Sequence, residues 1–291
     1  MKELISKAAA LLEALPYMRR FRGATFVIKY GGSFMDSPEP AVRDRVARDV
    51  VFLEAVGIKP VLVHGGGRAI TAALAAAGIE ARFIQGMRVT TAAAARVVER
   101  VLSREINPQI VRAIAALGGK ARGFSGATIL TCRKLLLPGP MGEPLDAGFV
   151  GEVTAVNTKP LLDCLKAGVT PVLSPTARCP DGRVYNCNAD TAAAAVAVAL
   201  KAGRLVFMSD VPGLLRDPKD PATLITRLRV GEVGALKKSG VIDKGMIPKV
   251  DGAVAALRAG VENVSFVDGR APHAVLLEMF HPPPVGTQIV L

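Results

Sequence analysis

Apolar residues fall along the chain in two patterns that alternate from one end to the other. Short unbroken runs at 26–28, 61–63, 205–208 and 264–267 are bounded by glycine, proline or charged residues. A run of that length reads as a strand buried on both faces, the kind found inside a parallel sheet. A strand over 169–174 belongs with them. Between the runs, apolar residues recur at helical spacing over 41–56, 69–77, 91–102, 107–117, 159–167, 190–200, 250–259 and 274–280. Gly57, Gly78, Gly118 and Gly168 supply several of the stops. The alternation predicts an α/β fold with an open, mainly parallel sheet sandwiched between helices. Three stretches stand outside it. Residues 123–151 mix β-prone pieces with Pro/Gly turns and predict hairpins at a sheet edge. Residues 287–291 predict an edge strand. Residues 1–22 carry a helical apolar stripe interrupted by Pro16, able to pack on its own domain or on the same helix of a neighbouring subunit.

Composition narrows the function. A chain of 291 residues can bury a substantial core as one large or two modest domains. Its net charge of +12 suits anionic ligands. Nucleic acid is not expected among them, because 4% of residues are aromatic, Trp is absent and no dense basic cluster occurs. Cys132, Cys164, Cys179 and Cys187 lack metal or CxxC spacing, so free thiols in a reducing cytosol are expected. Lys2, Glu3 and Lys7 precede any apolar stretch and argue against a signal peptide. The apolar run 192–200 is too short to span a bilayer. A soluble, cytoplasmic protein with no membrane partner is the expectation.

The candidate chemistry collects where strands end. Lys29 leaves the first strand just before Gly31 and Gly32. The second strand runs into His64-Gly65-Gly66-Gly67 and then a helix, an arrangement that offers backbone N–H groups to phosphate or carboxylate. It is neither a Walker loop, which needs Gly-Lys-Ser/Thr, nor the dinucleotide fingerprint, which needs glycine where Ile70 stands. Arg88 is isolated in a short loop or strand, and Asn186, Asn188 and Asp190 lead into a helix. Capping could account for Asp190, though not for two asparagines on one face of an extended segment. Ser209 and Asp210 end another strand, and Lys249 begins a late helix. No nucleophile with a base is evident, and Gly123-Phe124-Ser125-Gly126 has the wrong spacing for an esterase elbow. Phosphoryl transfer needs no such nucleophile. It needs positioned anions and fixed cations, which two lysines with an aspartate between them would supply.

These pieces, in this order, resemble the amino acid kinase family, and within it the branch that phosphorylates N-acetyl-L-glutamate in arginine biosynthesis. The matching motifs are Lys29-Tyr-Gly-Gly32, Val63-His-Gly-Gly-Gly67, Gly86-Met-Arg-Val-Thr90, Phe149-Val-Gly-Glu-Val153, Tyr185-Asn-Cys-Asn-Ala-Asp190, Ser209-Asp-Val-Pro-Gly213 and Gly245-Met-Ile-Pro-Lys249. The resemblance implies catalysis by Lys29 and Lys249 with Asp190 orienting them, and Gly32 cradling the phosphoryl group. It implies acceptor binding by Gly66, Gly67, Arg88 and Asn186, and ATP binding by Ser209, Asp210, Gly245 and Met246. Mg2+ would arrive with ATP and take no direct protein ligand. The N-terminal helix and the tail resemble those of arginine-inhibited members. Tyr17, Lys201, His273, Glu278 and Gly286 would then contact L-arginine, and the subunits would form a homo-hexamer as a trimer of dimers. The implied layout is an oligomerisation helix (1–22), an N-acetylglutamate-binding lobe (23–203) and an ATP-binding lobe (204–291) with the arginine site at its end. The family's usual residues are replaced at Arg68, at 125–129 and at Arg104-Glu105, away from the implied catalytic positions. A sibling kinase of another acidic amino acid and a catalytically weak arginine sensor are the alternatives.

Overall fold

The computed structural model describes residues 1–31, 35, 39, 44–139, 142–243 and 246–291, excepting the side chains of residues 2–4, 6 and 7. Its strands, in chain order, are β1 (Thr25–Tyr30), β2 (Lys59–His64), β3 (Phe83–Ile84), β4 (Met87–Arg88), β5 (Ala121–Phe124), β6 (Leu130–Pro138) and β7 (Pro144–Val156). They continue as β8 (Thr170–Leu173), β9 (Thr176–Arg178), β10 (Val184–Cys187), β11 (Arg204–Ser209), β12 (Arg227–Arg229), β13 (Asn263–Asp268) and β14 (Thr287–Val290).

The frame is an eight-stranded sheet in the order β12-β14-β13-β11-β1-β2-β8-β5. Every neighbouring pair in it is parallel except β13 with β14. Alternating side chains of the central strands are buried on both faces. Val27, Val63, Leu205 and Phe207 pack with helices Ala189–Ala199 and Ile247–Arg258. Phe26, Ile28, Leu62 and Val206 pack with helices Arg45–Ala55 and Ala274–Phe280. Each such side chain contributes about 1.5–3 kcal/mol on burial, which is why an all-apolar run must lie inside the sheet. The predicted helix-sheet-helix sandwich is the one observed.

From β1 the chain moves through β2 to β8 and β5 on one side, and returns to place β11 and β13 on the other. The strand order therefore reverses at β1. Open α/β sheets hold ligands at such a point, beyond the carboxyl ends of the strands. The sheet crosses the expected lobe boundary at residue 204 without a break, since β11 bonds directly to β1.

Four expectations change. The β-prone pieces at 130–156 do form a hairpin, β6 with β7, but it joins β9 and β10 in a separate closed four-stranded barrel and not the main sheet's edge. The edges of the main sheet are instead β5 and β12. The sequence Ala-Arg-Gly-Phe of β5 and Arg-Leu-Arg of β12 contain no apolar run, so neither was legible, and β14 lies one strand inside the edge it was expected to form. The helices expected at 91–102 and 107–117 are one rod, Ala92–Glu99 and Asn107–Ala116 joined by the π-helical turns Arg100–Ile106. Wide turns accommodate Pro108, which brings no N–H to the helix ladder. Finally, helix Lys2–Phe21 continues through Pro16. Ile5, Leu11 and Leu12 on it are 61–68% exposed.

Candidate active site

Asp190 is gripped from both sides. The Lys29 ammonium, on the penultimate residue of β1, lies 3.0 Å from Oδ1 of Asp190, and the Lys249 ammonium pairs with Oδ2. Lys249 stands in the first turn of helix Ile247–Arg258, whose start suits Pro248. The cap of the aspartate's own helix is Asn188, whose Oδ1 accepts from the backbone N–H of Asp190 at 2.8 Å and of Thr191 at 3.2 Å. That assignment frees the Asp190 carboxylate for the lysines. Burial pushes its carboxyl up, but the charges of Lys29 and Lys249 outweigh burial and hold it below the ordinary value. Lysine side chains 12% and 28% exposed keep a window to the cleft. The cluster can hold positive charge in a fixed place without a covalent role.

Two glycine segments close around this cluster. The Gly65 N–H donates to Tyr30 O at 2.7 Å, bringing the ends of β1 and β2 together. A Cβ on Gly31 would stand 2.8 Å from Lys29 Nζ, so glycine there lets the ammonium lie across the backbone. Gly66 is needed for a different reason. Its Cβ would strike Ile106 at 2.5 Å and Leu102 at 2.8 Å, both on the π-helical turns. Helix Gly67–Ala76 begins at once, so its first N–H groups and dipole face the cleft. His64 is fully buried behind the loop. Its Nδ1 lies 2.8 Å from Gly65 O, which requires that nitrogen to be the protonated one, and Nε2 accepts from Asn107 Nδ2 at 3.2 Å. Burial drives the ring down to about 4, outweighing the backbone bond, so the imidazole is neutral. His64 is a structural support for the loop.

The residues that the resemblance assigns to the acceptor meet in one cavity of about 190 Å³, lined by Gly65, Gly66, Gly67, Arg88 and Asn186 among others. Arg88, 8% exposed, is held by Nη2 donating to Gly67 O at 3.0 Å and Thr71 Oγ1 at 2.8 Å. The Phe83 ring lies 4.6 Å beneath its guanidinium. Arg88 Nη1 is buried with no hydrogen-bond partner among the described residues. A positioned, desolvated N–H donor is what a carboxylate ligand would satisfy. Sequence reading missed Thr71 and Phe83, and the only cue to Phe83 is its spacing from Arg88 across a four-residue hairpin turn.

Next to this cavity lies a wider one of about 650 Å³, reached by Gly66, Gly67, Arg88 and Asp210. Ser209 ends β11 beside β1, and its hydroxyl donates to Val211 O at 3.2 Å. The Met246 N–H donates to Asp243 Oδ1 at 3.0 Å just ahead of the Lys249 helix. Gly32 and Gly245 lie outside the described residues. Among the described residues no group of three or more His, Cys, Asp or Glu is placed to hold a metal ion.

A second, separate carboxylate stands behind the sheet. Glu278 is 2% exposed, and its Oε2 accepts from the Gly286 N–H at 3.0 Å. Oε1 has no hydrogen-bond partner among the described residues. Gly286 can only be glycine, as a Cβ there would stand 2.0 Å from Phe266 O. Tyr17 belongs to the N-terminal helix, which packs on helix Ala274–Phe280. The other two expected neighbours stand differently. The His273 ring is held by Asp49, with Nδ1 2.6 Å from Oδ1, and Lys201 is exposed with φ 49°. Arg204, which sequence reading missed, lies 4.8 Å over the Phe21 ring and within electrostatic reach of Glu278.

Known proteins are similar to this chain in both sequence and fold. Residues 24–268 match the amino acid kinase family. An acetylglutamate kinase of Akkermansia muciniphila is 45% identical over 99% of this chain and 96% of its own. One of Carboxydothermus hydrogenoformans is 44% identical over 99% of both chains. Among solved structures, the N-acetylglutamate synthase of Neisseria gonorrhoeae with coenzyme A and N-acetyl-glutamate superposes with a TM-score of 0.84 at 27% identity. It covers 98% of this chain, which spans 63% of the synthase. The same synthase with coenzyme A and L-arginine gives a TM-score of 0.79 at 28% identity. The family match over residues 24–268, most of the chain, shows that this protein belongs to the amino acid kinase family.

Proposed function

We propose that the protein transfers the terminal phosphoryl group of ATP to the side-chain carboxylate of N-acetyl-L-glutamate, giving N-acetyl-L-glutamyl 5-phosphate in arginine biosynthesis. The observation that carries this reading is the Lys29–Asp190–Lys249 cluster at the reversal of strand order, beside a cavity whose Arg88 offers an unsatisfied donor. In the reaction, Arg88 and Asn186 hold the acceptor so that its reacting carboxylate faces the glycine loop. The N–H groups of Gly66 and Gly67 bind charge on the acceptor and the migrating group, with Gly32 cradling the latter. Lys29 and Lys249 neutralise the negative charge on that group as it moves, and Asp190 keeps both ammonium groups in place. Ser209, Asp210, Gly245 and Met246 border the nucleotide, so residues 23–203 chiefly serve the acceptor and 204–291 chiefly serve ATP. Asp190 is occupied by two lysines, and a magnesium ion arriving with ATP would add positive charge to offset that of the phosphates.

The same reading extends to control. Glu278, buried with one oxygen unsatisfied, suits a guanidinium, and we assign L-arginine to it as a feedback inhibitor. Tyr17, Lys201, His273 and Gly286 would complete that site, and the exposed apolar stripe of the N-terminal helix would interlace subunits into a hexamer. ADP release measured with N-acetylglutamate, glutamate and aspartate in turn tests the proposal. Turnover of N-acetylglutamate supports it; turnover of aspartate or glutamate alone overturns the acceptor assignment.

A further inference from the structure

Three of the four cysteines, distant in sequence, converge in the small barrel. Cys132 lies on β6, Cys187 ends β10 and Cys179 directly follows β9. Strand register places two of them next to each other. Thr131 pairs with Arg178 in parallel, so the next residues along, Cys132 and Cys179, are carried forward side by side. Neighbouring strands lie about 4.8 Å apart, within the roughly 4.4–6.8 Å between Cα atoms that a disulfide spans. Gly151 makes room, since a Cβ there would press on Cys132 Sγ at 2.8 Å. Cys132 and Cys187 are buried, whereas Cys179 is half-exposed. Cys164 lies elsewhere, on helix Lys159–Lys166.

We infer that Cys132 and Cys179 form a reversible intramolecular disulfide, with Cys179 as the thiol that meets the oxidant and Cys132 as the one that resolves it. The oxidant is a small-molecule disulfide, RSSR. The Cys179 thiolate attacks one sulfur, forming a mixed disulfide and releasing RSH once the leaving thiolate takes a proton. The Cys132 thiolate then attacks Cys179 Sγ and releases the second RSH. Two protein thiols are thereby oxidised by two electrons while RSSR is reduced to two thiols. Cys187 prepares the second step. Its side chain holds the Cys132 thiol below its ordinary value, more than burial raises it, whereas burial and the neighbouring Cys132 hold Cys179 above its own, so attack on RSSR should quicken as pH rises. The bond would staple β6 to β9 in the barrel that carries Asn186 to the cavity, and it stands independently of the proposed reaction.

The test treats the full-length native protein with 2-hydroxyethyl disulfide, blocks remaining thiols and maps peptides by mass spectrometry. The expected product is lighter by two hydrogens, links the Cys132 and Cys179 peptides within one chain, and reverts with dithiothreitol. The link should be lost in Cys132→Ser and in Cys179→Ser, and kept in Cys187→Ser and Cys164→Ser. Cys179 is half-exposed, so its variant remains informative even where replacement of buried Cys132 impairs folding. Four free thiols after treatment, or a bond that joins Cys187 or Cys164 instead, would overturn the inference.

Discussion

Lys29 and Asp190 meet at 3.0 Å across the centre of the fold, one at the end of the first strand and the other in the first turn of a helix that follows the barrel. Lys249, from a third element, takes the remaining carboxylate oxygen. Three segments with no local sequence relationship thus fix a pair of positive charges in one cleft. The proposed chemistry depends on that fixity.

Replacing Lys249 with alanine should therefore act on the rate. Loss of one preorganised electrostatic contact costs about 3–4 kcal/mol in the transition state, so kcat should fall by roughly a hundredfold or more. KM for either substrate should change far less. Steady-state kinetics decide the matter, and an unchanged kcat would remove Lys249 from the mechanism.

Arg88 should behave in the opposite way. Its guanidinium holds Gly67 O, Thr71 and the Phe83 ring at once, with one nitrogen left for a ligand. A lysine cannot reproduce that fork. A charged hydrogen bond contributes about 1.5–3 kcal/mol, so Arg88→Lys should raise KM for N-acetylglutamate by roughly tenfold to a hundredfold. KM for ATP should stay within about twofold, given that the lost bond is to the acceptor. Equal weakening of both substrates would contradict the assignment.

His64 predicts a pH signature. Its folded ring loses its proton near 4, whereas an unfolded histidine does so near the ordinary 6.5. Between those values the unfolded chain binds the extra proton, so stability should rise with pH through the window and be lost as pH falls through it. The full effect is about 3 kcal/mol at 1.36 kcal/mol for each pH unit. Denaturant unfolding of the protein and of His64→Gln from pH 4 to 8 isolates it. Their stability difference should vary through the window and level off above pH 7, and a flat difference throughout would contradict a buried neutral imidazole.

Glu278→Gln keeps an acceptor for the Gly286 N–H while removing the negative charge. Activity without arginine should be near that of the parent. The arginine concentration giving half inhibition should rise by about tenfold or more, the loss of a charge-assisted contact. Equal sensitivity in both proteins would dismiss Glu278 as the inhibitor's partner.

Leu11 and Leu12 are 62% and 68% exposed on the N-terminal helix. Converting both to glutamate should leave the remote sheet intact and shift the assembly toward smaller species in sedimentation velocity. An unchanged assembly would place the interface elsewhere.

The chain announced its central strands plainly, because residues such as Phe26, Val27 and Ile28 must be buried on both sides of a sheet. Lys29, Asp190 and Lys249 were legible through the motifs around them, and the structure brings all three together. Other features depend on tertiary partners and left little local trace. β12 has one buried residue, Leu228, between two exposed arginines, and pairs only because β14 lies beside it. Thr71 becomes a support for Arg88 only when the Gly67 helix and the β3–β4 hairpin meet. The π-helical turns carry an ordinary helical pattern, and their role against Gly66 appears only in the packing. Asn188 and Asp190 could not be told apart as cap and ion-pair partner until the helix start was fixed.

The most direct test is a single-turnover reaction with terminally labelled ATP and N-acetylglutamate, in which hydroxylamine traps acyl phosphate. Label should move to the acceptor with the native protein, and Lys249→Ala should slow that transfer by roughly a hundredfold while still binding ATP. Transfer at the native rate in the variant, or no trapped product with the native protein, would contradict the account.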